Sequence, residues 1–197
     1  MLLIAPWLLG AAFKDHAWTA PAGEPLSVAA IQGNVEQNLK WDPAQLNAQL
    51  ALYRDMSFAS KPVDILVWPE TAVPVLKDQA IGYLSMMDRF ASDRQSALIT
   101  GVPIRQPNER GEQRYYNAVS VVGQGSGDYL KQRLVPFGEY VPLQDMLRGL
   151  IAFFDLPMSD FARGERDQPL LEAKGHRIAT FISVSYTHLR AHETRED

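Results

Sequence analysis

Two short apolar runs, VDILVW at residues 63–68 and ALITGVP at residues 97–103, constrain this chain more than any other feature. Each carries almost no polar residue, the pattern of a strand covered on both faces rather than one with a wet side. Between them, Ile81, Leu84, Met87 and Phe90 recur at helical spacing within residues 77–94, so the chain reads strand, helix, strand. The pattern extends backwards. LSVAAIQ at residues 26–32, closed by Gly33 and Asn34, fits a buried strand and a turn. Asp42 and Pro43 then supply an N-cap and a first helical residue, and Leu46, Leu50, Tyr53 and Phe58 follow at helical spacing until Lys61 and Pro62 stop the element. The order β-α-β-α-β predicts an α/β layered domain.

The later half changes character. Residues 106–111 are polar and turn-rich, residues 115–122 alternate as a strand does, and residues 128–132 resume an extended path after a loop at 123–127. These strands make the expected sheet mixed. PFGEYVP at residues 136–142 is broken by proline and glycine, residues 143–154 are helical in character, and residues 157–164 are irregular. A strand at 170–173, a turn at Lys174 and Gly175, and a strand over 177–182 close the pattern. No internal repeat or low-complexity tract interrupts it.

At 197 residues with 46% hydrophobic content, one domain is expected. A net charge of -4 and a pI near 5.6 argue against a partner held through phosphates, so no nucleic acid is expected. The chain has no cysteine, which removes disulfides, thiolate metal sites and thiol catalysis from its own repertoire. His16, His176, His188 and His192 stand at no zinc-ligand spacing, and no metal is expected.

The two ends read differently from the middle. Residues 1–13, MLLIAPWLLGAAF, are apolar and uncharged but shorter than the ~20 residues a spanning helix needs. They suit a signal-peptide core, a buried helix or the last turns of a transmembrane helix. Residues 14–25, with Pro21, Gly23 and Pro25, read as an extended linker, and the folded domain runs over 26–182. At the far end, VSYTHLRAHET at residues 184–194 continues neither a helical nor a strand period. It resembles the in-frame translation of a transposase sequencing adapter, so residues 183–197 are set apart as a non-native tail.

Four segments carry chemistry: QGNVEQNLKWDP at residues 32–43, WPET at 68–71, YLKQRLVPFGEYVP at 129–142, and FIS at 181–183. Together, in this order, they resemble the nitrilase (carbon-nitrogen hydrolase) superfamily and in particular its membrane-anchored branch, the apolipoprotein N-acyltransferases. The resemblance runs from about residue 28 to residue 182. It implies an α-β-β-α sandwich with a mixed sheet, here incomplete at the C-terminus, and a glutamate, lysine and cysteine at strand ends. Glu70 and Lys131 stand at the first two positions. Ser183 stands where the cysteine is expected, at the junction with the adapter-like tail, so the nucleophile is missing. The resemblance also marks Glu139 as a further active-site carboxylate and Trp41 as lining the acyl or acceptor pocket.

These residue types suit acyl transfer. A thiolate attacks the ester carbonyl, a carboxylate takes and returns the proton, and an ammonium group stabilises the oxyanion. The resemblance implies that the intact protein moves an acyl chain from a phospholipid to the α-amino group of a diacylglyceryl-cysteine apolipoprotein, with no cofactor. It implies a catalytic domain facing the periplasm from the bacterial inner membrane, with residues 1–13 as the end of a transmembrane helix. Two rivals share the residues: a soluble amidase of the same superfamily, and a cysteine-free pseudoenzyme that binds lipid. Each assignment also has a plainer reading, since WPE can be only a turn, Lys131 a solvated charge, Glu139 a salt-bridge partner and Trp41 a core residue. The apolar stretch at residues 147–157 reads as an ordinary buried helix or as a loop that dips into a bilayer surface.

Overall fold

The computed structural model describes residues 4–21, 23–36, 39–108, 110–135, 139 and 161–182. Ser183, the tail and the stretch at 147–157 lie outside the described residues. In chain order the first elements are α1 (Ala5–Ala12), β1 (Val28–Ala30), a 3-10 turn (Pro43–Gln45), α2 (Leu46–Ala59), β2 (Ile65–Val67), α3 (Ile81–Asp93) and β3 (Ala97–Gly101). There follow β4 (Ile104–Pro107), β5 (Gln113–Tyr116), β6 (Ala118–Gly123), β7 (Gly125–Ser126), β8 (Asp128–Leu130), β9 (Leu171–Ala173) and β10 (His176–Ile178).

The main sheet has the order β1-β2-β3-β6-β8. Its first three strands are parallel, as two βα crossovers require, while β6 runs antiparallel to β3 and β8 antiparallel to β6. The α/β class and the mixed sheet are therefore as the sequence predicts. Because side chains alternate across a strand, Leu66, Trp68 and Leu98 face one side with Tyr53, Leu84, Met87 and Ala91 from the two helices. Ile65, Ile99, Val119 and Val121 face the other side, where Leu171 and Ala173 of β9 join them. Both faces are covered, which explains the continuous apolar runs of β2 and β3. Burying residues such as Leu66, Leu98 and Met87 contributes roughly 1.5–3 kcal/mol each.

Several details differ from the sequence reading. Among the described residues the first strand is an edge strand with Val28 exposed, since β2 is its one partner in the sheet. Its start is tied instead by polar groups: Ser27 N–H and Oγ–H donate to Asp64 Oδ2 at 2.8 and 2.6 Å. In α2 the buried positions are Gln49, Tyr53 and Ser57, while Phe58 is exposed. Ser57 is buried because its hydroxyl accepts the Trp68 indole N–H at 2.9 Å. In α3 the buried line is Leu84, Met87 and Ala91, and Ile81 is exposed. The segment read as turn-rich begins with the last two residues of β4, Gln106 and Pro107, which pair with β5 in a separate hairpin. The strand expected over 177–182 ends at Ile178 and belongs to a three-stranded sheet with β9 and β7. Asp42 caps as predicted, accepting from Ala44 N–H at 2.9 Å, but it caps a 3-10 turn that leads into α2. All residues of α1 are exposed, and among the described residues no helix is long and apolar enough to cross a membrane.

Candidate active site

The sheet register brings three chain positions together at one end of the strands. The parallel pairing of β2 with β3 puts their C-terminal ends side by side, with Val67 opposite Ile99. The antiparallel pairing of β3 with β6 sets Gly101 opposite Val119, and that of β6 with β8 sets Ala118 opposite Leu130. Glu70, just past β2, thus meets Asn117, just before β6, and Lys131, just after β8.

Lys131 is the centre. Its side chain is 3% exposed, and its ammonium group donates to Glu70 Oε1 at 3.1 Å and to Glu139 Oε1 at 2.8 Å. Asn117 Nδ2 donates to the same two oxygens, at 2.6 and 2.8 Å. A buried ammonium group needs such partners, because taking it out of water unpaired costs several kcal/mol. The lysine backbone is fixed as well: Lys131 N–H donates to Asn117 O, and Gly164 N–H donates to Lys131 O. Glu139 is held at both ends, its Oε2 accepting from Val135 N–H at 2.9 Å and its carbonyl accepting from Phe161 N–H at 3.0 Å. Three of the sequence-predicted residues, Glu70, Lys131 and Glu139, therefore form one cluster.

The Glu70 turn is built tightly. Thr71 takes a left-handed φ of 52°, Ala72 N–H donates to Pro69 O, and Val73 N–H donates to Gly101 O. Gly101 lies directly beneath, and a β-carbon there would stand 2.3 Å from Thr71 N and 2.8 Å from Glu70 Cα. Only glycine lets the turn sit this close. Lys40 Nζ donates to the Glu70 carbonyl at 2.8 Å. Burial holds the Lys40 ammonium below the usual lysine range, opposed by the Glu70 charge. Trp41, the fourth predicted residue, is half-buried beside Lys40.

Sequence reasoning missed Asn117, Lys40 and Gly101. Asn117 had a signal, since it is the one amide inside the run YYNAVSVV. Among the described residues its Oδ1 is buried without a hydrogen-bond partner, so the side chain is oriented by its two donated hydrogen bonds. Lys40 sits in the same KWDP segment that drew attention to Trp41, but nothing local predicts that it reaches Glu70.

Comparison with known proteins follows the same line. No family model matches the chain. It is 70% identical to a curated apolipoprotein N-acyltransferase of Pseudomonas syringae pv. tomato over 182 residues, 92% of this chain and 36% of the relative. The same description is carried by a relative in Pseudomonas putida, 71% identical over 182 residues with the same shares covered, and by one in Vibrio vulnificus. The Vibrio relative is 40% identical over 191 residues, covering 91% of this chain and 37% of its own. Similar solved structures include an N-terminal amidase with an Asn-Glu-Ala peptide, 16% identical with a TM-score of 0.42, covering 71% of this chain and 31% of that one. Another is an amidase from Nesterenkonia sp., 18% identical with a TM-score of 0.41, covering 80% and 55%.

A mixed α/β sheet gathers two carboxylates around one buried lysine at its strand ends. Over 92% of its length the chain is similar to curated apolipoprotein N-acyltransferases. It spans 36% of the length of the first relatives it matches.

Proposed function

We infer that this chain is the greater part of the catalytic domain of an N-acyltransferase that moves an acyl chain from a phospholipid to the α-amino group of a diacylglyceryl-cysteine apolipoprotein. The observation that carries the reading is the ammonium group of Lys131 shared between Glu70 and Glu139. Glu70, with its side chain 38% exposed, is the carboxylate open to a reacting group, whereas Glu139 is 13% exposed and spends its second oxygen on Val135. Glu70 is thus the general base, Lys131 the cation that orients it and stabilises an oxyanion, and Glu139 the counter-charge that keeps Lys131 in place. Trp41 lines the pocket for the acyl chain or the acceptor.

The chemistry needs a thiol in addition. In the reading proposed here the cysteine belongs at position 183, Ser183 and residues 184–197 are a non-native tail, and the chain as given does not turn over. A serine hydroxyl has a far higher pKa than a thiol and is a poor substitute opposite a carboxylate. In the intact protein, the proton of the cysteine passes to Glu70 as the sulfur attacks the phospholipid ester. The lysophospholipid leaves with that proton, and the thioester is then attacked by the acceptor amine. The exposed apolar helix α1, with Trp7, Leu8 and Leu9 on its surface, suits the end of a segment buried in the inner membrane, with residues 14–25 as its linker and the catalytic domain on the periplasmic side.

The test uses the full-length protein that carries this segment, with cysteine at position 183, incubated with phosphatidylethanolamine vesicles. Mass spectrometry is expected to find one hydroxylamine-labile acyl group on that cysteine, and none on the 197-residue chain with Ser183. Hydrolysis of small amides without an acyl-enzyme from the phospholipid would instead assign the site to an amidase.

A further inference from the structure

Lys40 is spent on a contact the proposed chemistry does not use. Its ammonium group is partly buried, and among the described residues it donates to a main-chain carbonyl, that of Glu70, rather than to either carboxylate oxygen. Desolvating a lysine to reach one neutral acceptor is unfavourable unless that contact holds something in place. What it holds is the turn carrying Glu70, which is seated closely on Gly101 and hydrogen-bonded by Lys40. The Lys40 backbone is itself anchored. Gln49, a buried polar residue of α2, donates its side-chain N–H to Leu39 O at 2.8 Å and, at 3.4 Å, to Lys40 O. A chain of contacts therefore leads from α2, through the segment that carries Trp41, to the peptide bond of Glu70.

We propose that Lys40 is a positioning residue whose hydrogen bond to the Glu70 carbonyl locks the base turn to the Trp41 segment, so that a ligand seated against Trp41 also fixes the aim of the Glu70 carboxylate. This rests on the acyl-transfer reading for its consequence in rate but not for its consequence in structure. Among the described residues, the groups facing Glu70 are Lys131 and Asn117 on its carboxylate and Lys40 on its carbonyl, with Glu139 across the shared lysine. Lys40 is the one of these that reaches Glu70 through its main chain, so its loss should loosen the turn and leave the Lys131 pair able to form.

The experiment compares Lys40→Met, which removes the donor, with Lys40→Arg, which keeps a cationic donor. In the 197-residue chain, amide exchange of Ala72, whose N–H closes the turn on Pro69, is expected to speed up at least about tenfold in Lys40→Met, with exchange in β3 unchanged. In the full-length protein kcat is expected to fall by about 10- to 100-fold with KM within about twofold, as for a base held off its line of attack. Lys40→Arg is expected to restore both readouts substantially. Should Lys40→Met not fold, Lys40→Gln, a shorter neutral donor, gives the intermediate case. Unchanged Ala72 exchange in a donor-less variant overturns the inference, as does a KM effect with kcat intact. If the full-length wild type shows no acyl transfer while Ala72 exchange responds as stated, the functional reading fails and the lock stands.

Discussion

Replacing Gly101 with alanine adds a single methyl group at the point where the sheet meets the Glu70 turn. That methyl would stand 2.3 Å from Thr71 N, 2.6 Å from Pro69 O and 2.8 Å from Glu70 Cα, all main-chain atoms that cannot rotate away. Restoring an ordinary separation of about 3.5 Å requires the turn to lift by roughly 1 Å. The Lys131 to Glu70 contact, 3.1 Å in the native arrangement, then opens towards 4 Å and ceases to be a hydrogen bond. Overpacking of this kind costs about 1–3 kcal/mol, and for a chain of this size each kcal/mol lowers Tm by about 2–4 °C. A misplacement of about 1 Å at a base costs on the order of 100-fold in rate. Thermal melting of the 197-residue chain and acyl-cysteine formation by the full-length protein measure the two effects. Gly82→Ala is the control, because its methyl meets nothing within 4 Å on the surface of α3; there about 0.5–1 kcal/mol of stabilisation is expected. A Gly101→Ala protein with native rate and native Tm would refute the close seating of the turn and with it the geometry assigned to Glu70.

Asn117→Asp should be worse than Asn117→Ala, because it replaces a donor shared by two carboxylates with a third carboxylate facing one ammonium group. The alanine variant should lose about 1.5–3 kcal/mol for each hydrogen bond to a charged group, and urea unfolding that ranks the two equally would contradict the assigned orientation of the amide. Asp64→Asn should lower Tm near neutrality, since the hydrogen bonds from Ser27 hold the Asp64 carboxyl below its ordinary value of 3.8. A depressed carboxylate contributes stability above its unfolded value and loses it as pH falls through the lower folded value. The Tm difference from wild type should therefore be full above about pH 4 and shrink below 3.8; a difference independent of pH would show that the charge is not involved.

How far the sequence reveals this arrangement depends on whether a residue's role is local or distant. The parallel strands were legible because burial on both faces leaves a continuous apolar run, and Asp42 because an N-cap acts within three residues. Helix faces were only half legible. Gln49 and Ser57 are polar, so a hydrophobic pattern passes over them, yet both are buried because a distant group supplies their partner: the Leu39 carbonyl for one and the Trp68 indole for the other. Glu70, Lys131 and Glu139 stood out through their motifs, whereas Asn117 looked like an interruption of a strand. Gly101 lay inside the run read as one. Their roles exist only once β2, β3, β6 and β8 are in register, and no stretch of sequence contains that register.

The same register explains why the cluster can persist. Lys131 gives up its water almost completely, and no single partner offsets that: Glu70 is partly solvated, and Glu139 also serves Val135. Two carboxylates and one amide around a single ammonium group, with Lys40 behind, leave the described cluster near neutrality, with two positive and two negative charges. A near-neutral cluster is tolerable at low dielectric, where one unpaired charge is not. It follows that the four groups should respond to substitution as a unit rather than additively. A double-mutant cycle between Lys131 and Glu139 should show coupling well beyond the ~0.5 kcal/mol seen for independent sites. Additive losses would mean that the burial of Lys131 is supported from outside the cluster.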